Sequence, residues 1–374
     1  MSGSTAPHPP YRVPGMAEIR ALPWNGYRVV STFSGGGGSC LGYRMAGFRV
    51  VWANEFIPAA RETYRANAPE TILDGRNIRE VKPEEILEAT GIERGGIDLF
   101  DGSPPCASFS TAGARDKYWG RAKAYSDTRE RTDDLFFEYA RLLRGLQPRT
   151  FVAENVSGLV KGTAKGYFKL ILSELKACGY RVSARLLNAA WLGVPQERER
   201  LIFVGVRNDL CERFGVAPAH PKPGAFAYTL GEAFEGLRND PREVAALLAD
   251  GARYAWGRLL RRMPKNPPRR IGGDEFAGGS YFNLVRQSFA WPASTILQTH
   301  GNPSTAGTVH PSEDRKFTIA ELRRIMSVPD DFVLTGTPAQ QWERLGRMVP
   351  PVMMARIAAT VRDEILERCR EETA

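Results

Sequence analysis

The chain has 374 residues, 43% of them hydrophobic and 25% charged, with a formal net charge of +9. That is enough apolar content for a sizeable core and enough length for one large domain with a smaller companion, which excludes a disordered or fibrous chain. No apolar run is long enough to cross a bilayer, and the five cysteines and four histidines show neither CxxC nor HxxxH spacing, against a disulfide framework, a zinc site or metal catalysis.

Residues 1–26 open with a stretch rich in Pro, Ser and Gly that lacks a signal-type apolar core, and they read as a flexible tail. From Tyr27 to about Arg207, apolar β-like runs alternate with helical periodicity. Strands are predicted at Tyr27–Thr32, Arg49–Ala53, Ile97–Phe100, Thr150–Ala153, Arg181–Leu187 and Leu201–Val206, and helices notably at Asp133–Gly145 and Tyr167–Gly179. Beyond Arg207, prolines and the pairs Gly272-Gly273 and Gly278-Gly279 break the periodicity, which returns at Thr318–Ser327 and Trp342–Cys369 with a helix start near Val349-Pro350-Pro351. The expected class is α/β: a doubly wound, mostly parallel sheet over residues 27–207, completed by 315–374, with a smaller irregular domain at 208–314.

The first strand runs into Phe33-Ser34-Gly35-Gly36-Gly37-Gly38-Ser39 and then a helix-like segment. Such a turn lets a ligand approach backbone at a helix N-terminus, although alone it serves equally as a strand-to-helix connection. Glu55, ending the next strand, is placed to hold both hydroxyls of a ribose, and the spacing differs from a dinucleotide fingerprint, which favours S-adenosylmethionine. After the third predicted strand comes Gly102-Ser103-Pro104-Pro105-Cys106, a thiol on a stiffened loop at a strand's carboxyl end, with Glu154 and the run Gln196-Glu197-Arg198-Glu199-Arg200 downstream. Taken singly, Cys106 reads as a buried small hydrophobe, Glu154 as a surface acid and the arginines as a solvated run. Together they make one chemistry: a thiolate adding at carbon 6 of cytosine makes carbon 5 an enamine nucleophile, the acid bonds N3 and the exocyclic amine, and an arginine holds the O2 edge.

In this order, the glycine-rich turn, the acidic strand end, the Pro-Cys loop, Glu154-Asn155-Val156 and Gln196-x-Arg198-x-Arg200 resemble the cytosine-C5 DNA methyltransferase family. The resemblance continues through Arg315-Lys316-Phe317-Thr318-Ile319-Ala320-Glu321-Leu322 and Leu345-Gly346-Arg347-Met348-Val349-Pro350-Pro351, and spans about Tyr27 to Leu366. It implies a Rossmann-like, S-adenosylmethionine-dependent catalytic domain and a target recognition domain at 208–314. The implied cofactor residues are Phe33, Ser34, Gly35, Gly37, Glu55, Phe56, Asn77, Ile78 and Pro105. Cys106 is the implied nucleophile and Glu154 the N3/N4 partner, with Arg198 and Arg200 stabilising the base. Ser110, Thr295 and Ile296 would meet substrate DNA. The implied partner is double-stranded DNA, flipped locally to expose one cytosine, acted on by a cytoplasmic monomer without metal. The net positive charge fits such a polyanion. Arg261, Arg262, Lys265, Arg269 and Arg270 are candidate phosphate contacts, and 111–131, mixing basic and aromatic residues, reads as a loop that closes over DNA.

Three positions depart from the family pattern: Asn77 replaces an aspartate, Ala107 a glutamine, and Arg347 an asparagine placed near the sulfonium. A guanidinium beside a sulfonium is unfavourable unless an anion lies between them. This raises carboxy-S-adenosylmethionine as an alternative donor and carboxymethylation as an alternative reaction; the other reading turns Arg347 outward to an acid such as Glu343. Transfer RNA is the second candidate substrate and a non-enzymatic DNA-binding module the third. The size of 208–314 favours DNA, because reading base edges needs surface.

Overall fold

The computed structural model describes residues 8–104, 123–125, 128–130, 135–160, 165–281 and 283–370. Pro105, Cys106, Ala107 and Ser110 lie outside them, as does most of the expected closing loop, of which the described part is a short antiparallel hairpin, Lys123–Tyr125 with Thr128–Glu130. The chain divides into two compact units: a sheet unit of Arg20–Leu187, Glu199–Lys222 and Met354–Ala374, and a second unit of Met1–Ile19, Asn188–Arg198 and Pro223–Met353.

The sheet unit is built on seven strands, β1 (Arg28–Thr32), β2 (Arg49–Asn54), β3 (Ile72–Asp74), β4 (Leu99–Gly102), β5 (Thr150–Val156), β6 (Tyr180–Asn188) and β7 (Glu199–Arg207), in the order β3-β2-β1-β4-β5-β7-β6. Neighbours from β3 to β5 are parallel, whereas β7 runs antiparallel to β5. Val29 and Val30, Leu99 and Phe100, and Val152 and Ala153 are consecutive pairs facing opposite sides of the sheet, and all are 0% exposed. Both faces are therefore covered, which is why these strands read as continuous apolar runs instead of alternating ones. On one face, α5 (Leu135–Leu146) and α6 (Lys165–Ala177) contribute Leu142, Leu143, Leu146, Ile171 and Leu175 to a core with Phe100, Phe151 and Phe203.

Packing in the sheet centre is tight enough to dictate a glycine. Gly205 sits opposite Phe151 in the β5–β7 register, and a Cβ built on it would lie 1.9 Å from the Phe151 ring. Gly205→Ala is expected to destabilise the unit by about 1–3 kcal/mol through overpacking, read as a lowered urea midpoint at unchanged slope.

The second unit contains helices Pro241–Arg253, Ala255–Leu260, Ile319–Ile325 and Pro338–Arg347, and a small sheet of β8 (Ile271–Gly272), β9 (Val285–Arg286) and β10 (Thr308–Val309). Trp256, Leu259, Leu260, Met263, Ile271, Leu284 and Val309 form its core. Irregular backbone must still satisfy its carbonyls, and Arg286, fully buried, does so by donating to the carbonyls of Leu260 (2.8 Å), His310 (3.2 Å) and Glu313 (3.1 Å) while pairing with Asp314 Oδ1 at 2.6 Å.

This organisation differs from the sequence expectation in three ways. The helix Asn208–Phe214 stays with the sheet unit, anchored by Asn208 N–H donating to Gly179 O at 3.0 Å, while 315–353 go with the second unit. The second unit is less irregular than its prolines imply, since Pro241–Arg253 is a 13-residue helix capped by Asp240. And the expected tail is held from His8 onward: His8 stacks on Phe226 at 4.1 Å, Tyr11 OH donates to Arg324 O at 2.7 Å, and Met16 N–H meets the Asp331 carboxylate at 3.0 Å before the helix Met16–Ala21.

Candidate active site

The glycine-rich turn is closed behind and open in front. Phe33 takes a left-handed conformation (φ 54°), unusual for a bulky residue and a sign of stored strain where β1 ends. Gly37 (φ 94°) caps α2 (Gly38–Met45), and a Cβ there would press on the Tyr64 ring at 3.2 Å, whereas one on Gly35 would meet nothing within 4 Å. Glu55, at the tip of β2 and 7% exposed, accepts from Gly35 N–H through Oε2 and from Ile57 N–H through Oε1, both at 2.7 Å. An acceptor carboxylate at a strand tip beside an open cradle suits a ribose, so the two fit an adenosyl donor.

Flanking residues complete this side. Asn77 uses its side-chain oxygen to cap the turn Ile78–Glu80, accepting from Arg79 N–H at 3.1 Å, and Ile78 is 3% exposed within the core. Arg61, not singled out by the sequence, donates to Gly75 O at 2.7 Å and Phe56 O at 3.3 Å, tying the loop after β3 to the loop after β2.

Beneath the turn lies a second acid that sequence reasoning missed. Asp101 on β4 is 1% exposed and receives three side-chain hydroxyls: Ser31 (2.8 Å) and Ser39 (3.0 Å) at Oδ2, and Tyr43 (3.0 Å) at Oδ1. Ser31 also lies 3.0 Å from Ser34 of the turn. Burial pushes the Asp101 carboxyl up to about 6, against the pull of these hydroxyls.

Glu154 and Arg200 meet because β7 runs backwards. The end of β5 and the beginning of β7 reach the same edge of the sheet, and Arg200 Nε pairs with Glu154 Oε1 at 2.7 Å, with side chains 15% and 11% exposed. Burial lowers the guanidinium's affinity for its proton and the carboxylate beside it opposes that effect. Next to Glu154, buried Asn155 donates through Nδ2 to Pro104 O at 3.3 Å, holding the backbone two residues ahead of Cys106.

Other expected site residues belong to the second unit and have local partners there. Arg198, 1% exposed, donates to Ile296 O at 3.2 Å and Gly346 O at 2.8 Å and so braces that unit. Thr295 donates to Glu197 O at 2.7 Å, and Ile296 is fully buried. Arg347, at the end of Pro338–Arg347, pairs with Glu343 one turn earlier at 2.8 Å, the outward arrangement. Of the expected phosphate contacts, Lys265, Arg269 and Arg270 pair with Asp314, Glu275 and Glu197 at 3.4, 3.0 and 2.5 Å. Among the described residues, no cluster of His, Cys, Asp or Glu could hold a metal, and no helix is long and apolar enough to span a membrane.

The strand order with β7 reversed, the open glycine turn and the paired acid and arginine at the same sheet edge define a Rossmann-like transferase fold. Among solved structures it is similar to a variant of DNMT2 from Spodoptera frugiperda (TM-score 0.63, 19% identity, 92% of this chain and 100% of the other) and to Dnmt2 from S. pombe (TM-score 0.59, 16% identity, 90% and 98%). In sequence, it is 38% identical over 371 residues to the Type II methyltransferase M.FnuDI of Fusobacterium nucleatum, covering 91% of this chain and 96% of that protein. It is also 29% identical over 375 residues to the Type II methyltransferase M.NgoPII of Neisseria gonorrhoeae, covering 94% and 100%. The model of the C-5 cytosine-specific DNA methylase family matches residues 27–363, and the chain belongs to that family. It is accordingly an S-adenosylmethionine-dependent DNA cytosine-C5 methyltransferase.

Proposed function

We propose that this enzyme methylates carbon 5 of a cytosine flipped out of double-stranded DNA, through a covalent bond between Cys106 and carbon 6. The observation that carries the reading is the buried Glu154–Arg200 pair at 2.7 Å, set beside the Asn155 bond to Pro104 that anchors the stem of the Cys106 loop. Glu154 bonds N3 and the exocyclic amine as the Cys106 sulfur adds at carbon 6, and Arg200 holds Glu154 in place and steadies the charge that develops. Carbon 5 takes up the methyl group, then loses its proton, and the sulfur leaves as thiolate to restore the aromatic ring. S-adenosylmethionine, when bound, supplies the electrophilic methyl, and Phe33, Ser34, Gly35, Gly37, Glu55, Phe56, Asn77, Ile78 and Pro105 would hold it.

The second unit is assigned the reading of the DNA sequence, with Thr295 near the flipped base and Arg261 and Arg262, which form no ion pair among the described residues, toward phosphate. Two relatives are named Type II methyltransferases, which supports a role in restriction-modification. Methyl, not carboxymethyl, is the group proposed: the Arg347 charge is met by Glu343 within its own helix, so it does not require an anion on the donor.

Duplex DNA carrying 5-fluorocytosine cannot lose a proton from carbon 5, so incubation with enzyme and S-adenosylmethionine should trap a protein–DNA adduct through Cys106, detectable by denaturing gel and peptide mass. Ordinary duplex DNA should yield 5-methylcytosine by nucleoside mass analysis. Modification of tRNA in place of DNA, a carboxymethyl product, or turnover without an adduct would overturn the reading.

A further inference from the structure

Asp101 is a buried acid that the chemistry above leaves unused. It stands directly across from Ser31 in the β1–β4 register, and its three hydroxyl donors come from β1 and from the first and second turns of α2. Through Ser31 and Ser34 its hydrogen bonding reaches the glycine-rich turn itself. The same β4 residue also accepts from Thr32 Oγ1 through its carbonyl at 3.1 Å. Among the described residues no Lys, Arg or His forms an ion pair with it.

We propose that Asp101 is a positioning residue of the donor site: its carboxylate fixes the glycine-rich turn and the start of α2, and its uncompensated negative charge beneath that turn favours a cationic sulfonium ligand over a neutral thioether. This rests on the reading of the turn as the S-adenosylmethionine site. The titratable groups facing Asp101 are Cys40 and Tyr43 from α2, Tyr139 from α5 and Glu154 from β5. Burial pushes the two phenols and the thiol upward, so they stay neutral near pH 7. Glu154 adds a like charge, itself answered by Arg200.

The sign of the pH effect follows from burial. Raised to about 6 in the fold, the Asp101 carboxyl is ionised at neutral pH at a cost to stability, a cost that shrinks as pH falls below that value and is gone below the ordinary carboxyl value of 3.8. A ligand that prefers the ionised form must then bind more weakly as pH drops through the same window.

The test is calorimetric titration of the full-length enzyme with S-adenosylmethionine and with S-adenosylhomocysteine from pH 5 to 7.5, on wild type, Asp101→Asn and Ser39→Ala. At pH 7.5 Asp101→Asn should weaken S-adenosylmethionine by about tenfold and S-adenosylhomocysteine by about threefold or less. KM for the donor should rise far more than kcat falls. Wild-type affinity for S-adenosylmethionine should decline several-fold toward pH 5, while the Asn variant stays flat and melts no lower than wild type at pH 7.5. Ser39→Ala, which keeps the charge, should weaken both ligands alike. Equal losses of both ligands in Asp101→Asn, or a wild-type pH profile without slope, would overturn the proposal; the second result needs no variant to fold. Wild type that binds neither ligand would instead remove the donor-site reading on which the proposal stands.

Discussion

Cys106→Ser is expected to lower methyl transfer by a factor on the order of 10⁴ or more, with donor affinity within about twofold of wild type. A serine hydroxyl carries two of the three properties needed at carbon 6, size and a lone pair, and lacks the third. A thiol ionises within a few pH units of neutrality and its thiolate is strongly nucleophilic, whereas an alcohol is almost wholly protonated there. Single-turnover transfer of a labelled methyl group to duplex DNA measures the chemical step, and calorimetry with S-adenosylmethionine alone measures the donor site. Turnover at the original rate by the serine variant would exclude the covalent route altogether.

The second large effect is expected at the Glu154–Arg200 pair, where activity and stability should come apart. Glu154→Gln should reduce single-turnover rate by about 10²–10³-fold, the scale for losing a preorganised group that meets developing charge. It also leaves Arg200, 15% exposed, facing an amide, and stranding one member of a buried pair costs about 3–5 kcal/mol. The double variant Glu154→Gln/Arg200→Met removes the stranded charge and should recover a large part of that loss while remaining as slow as the single variant. Urea denaturation gives one axis and rapid-quench kinetics the other. If the double variant regained activity along with stability, the pair would be a structural strut and Glu154 would have no role at the base.

The sheet was legible because doubly covered strands leave long apolar runs: Arg28–Thr32, Thr150–Val156 and Glu199–Arg207 coincide with predicted segments to within a few residues. Ile72–Asp74 was not, since a three-residue edge strand with Ile72 45% exposed carries almost no pattern. The helix Pro241–Arg253 was missed although Val244, Leu247 and Leu248 recur at helical spacing, because it lies between proline-rich stretches and buries only Gly251, with Leu248 41% exposed. In the site, Glu55, Glu154 and the glycine turn could be found from their places at strand ends. Asp101 could not, because what makes it special is a hydroxyl 70 positions away on β1. Arg198 and Arg200 look equivalent in sequence, yet β7 begins at Glu199, so one arginine precedes the strand and the other rides on it.

The path of the chain has a consequence for biosynthesis. It passes between the two units at 19/20, 187/188, 198/199, 222/223 and 353/354, so neither can be completed by an uninterrupted length of nascent polypeptide. The sheet unit waits longer: Met354, Ile357, Ala358, Val361, Ile365 and Leu366, all 0% exposed, are translated after the whole second unit, and Arg149 closes onto Cys369 O at 3.0 Å. Until those residues leave the ribosome, the greasy surface they cover is open to water and to other chains. Termination just before Met354 should therefore produce insoluble protein, although every proposed catalytic residue would already have been made.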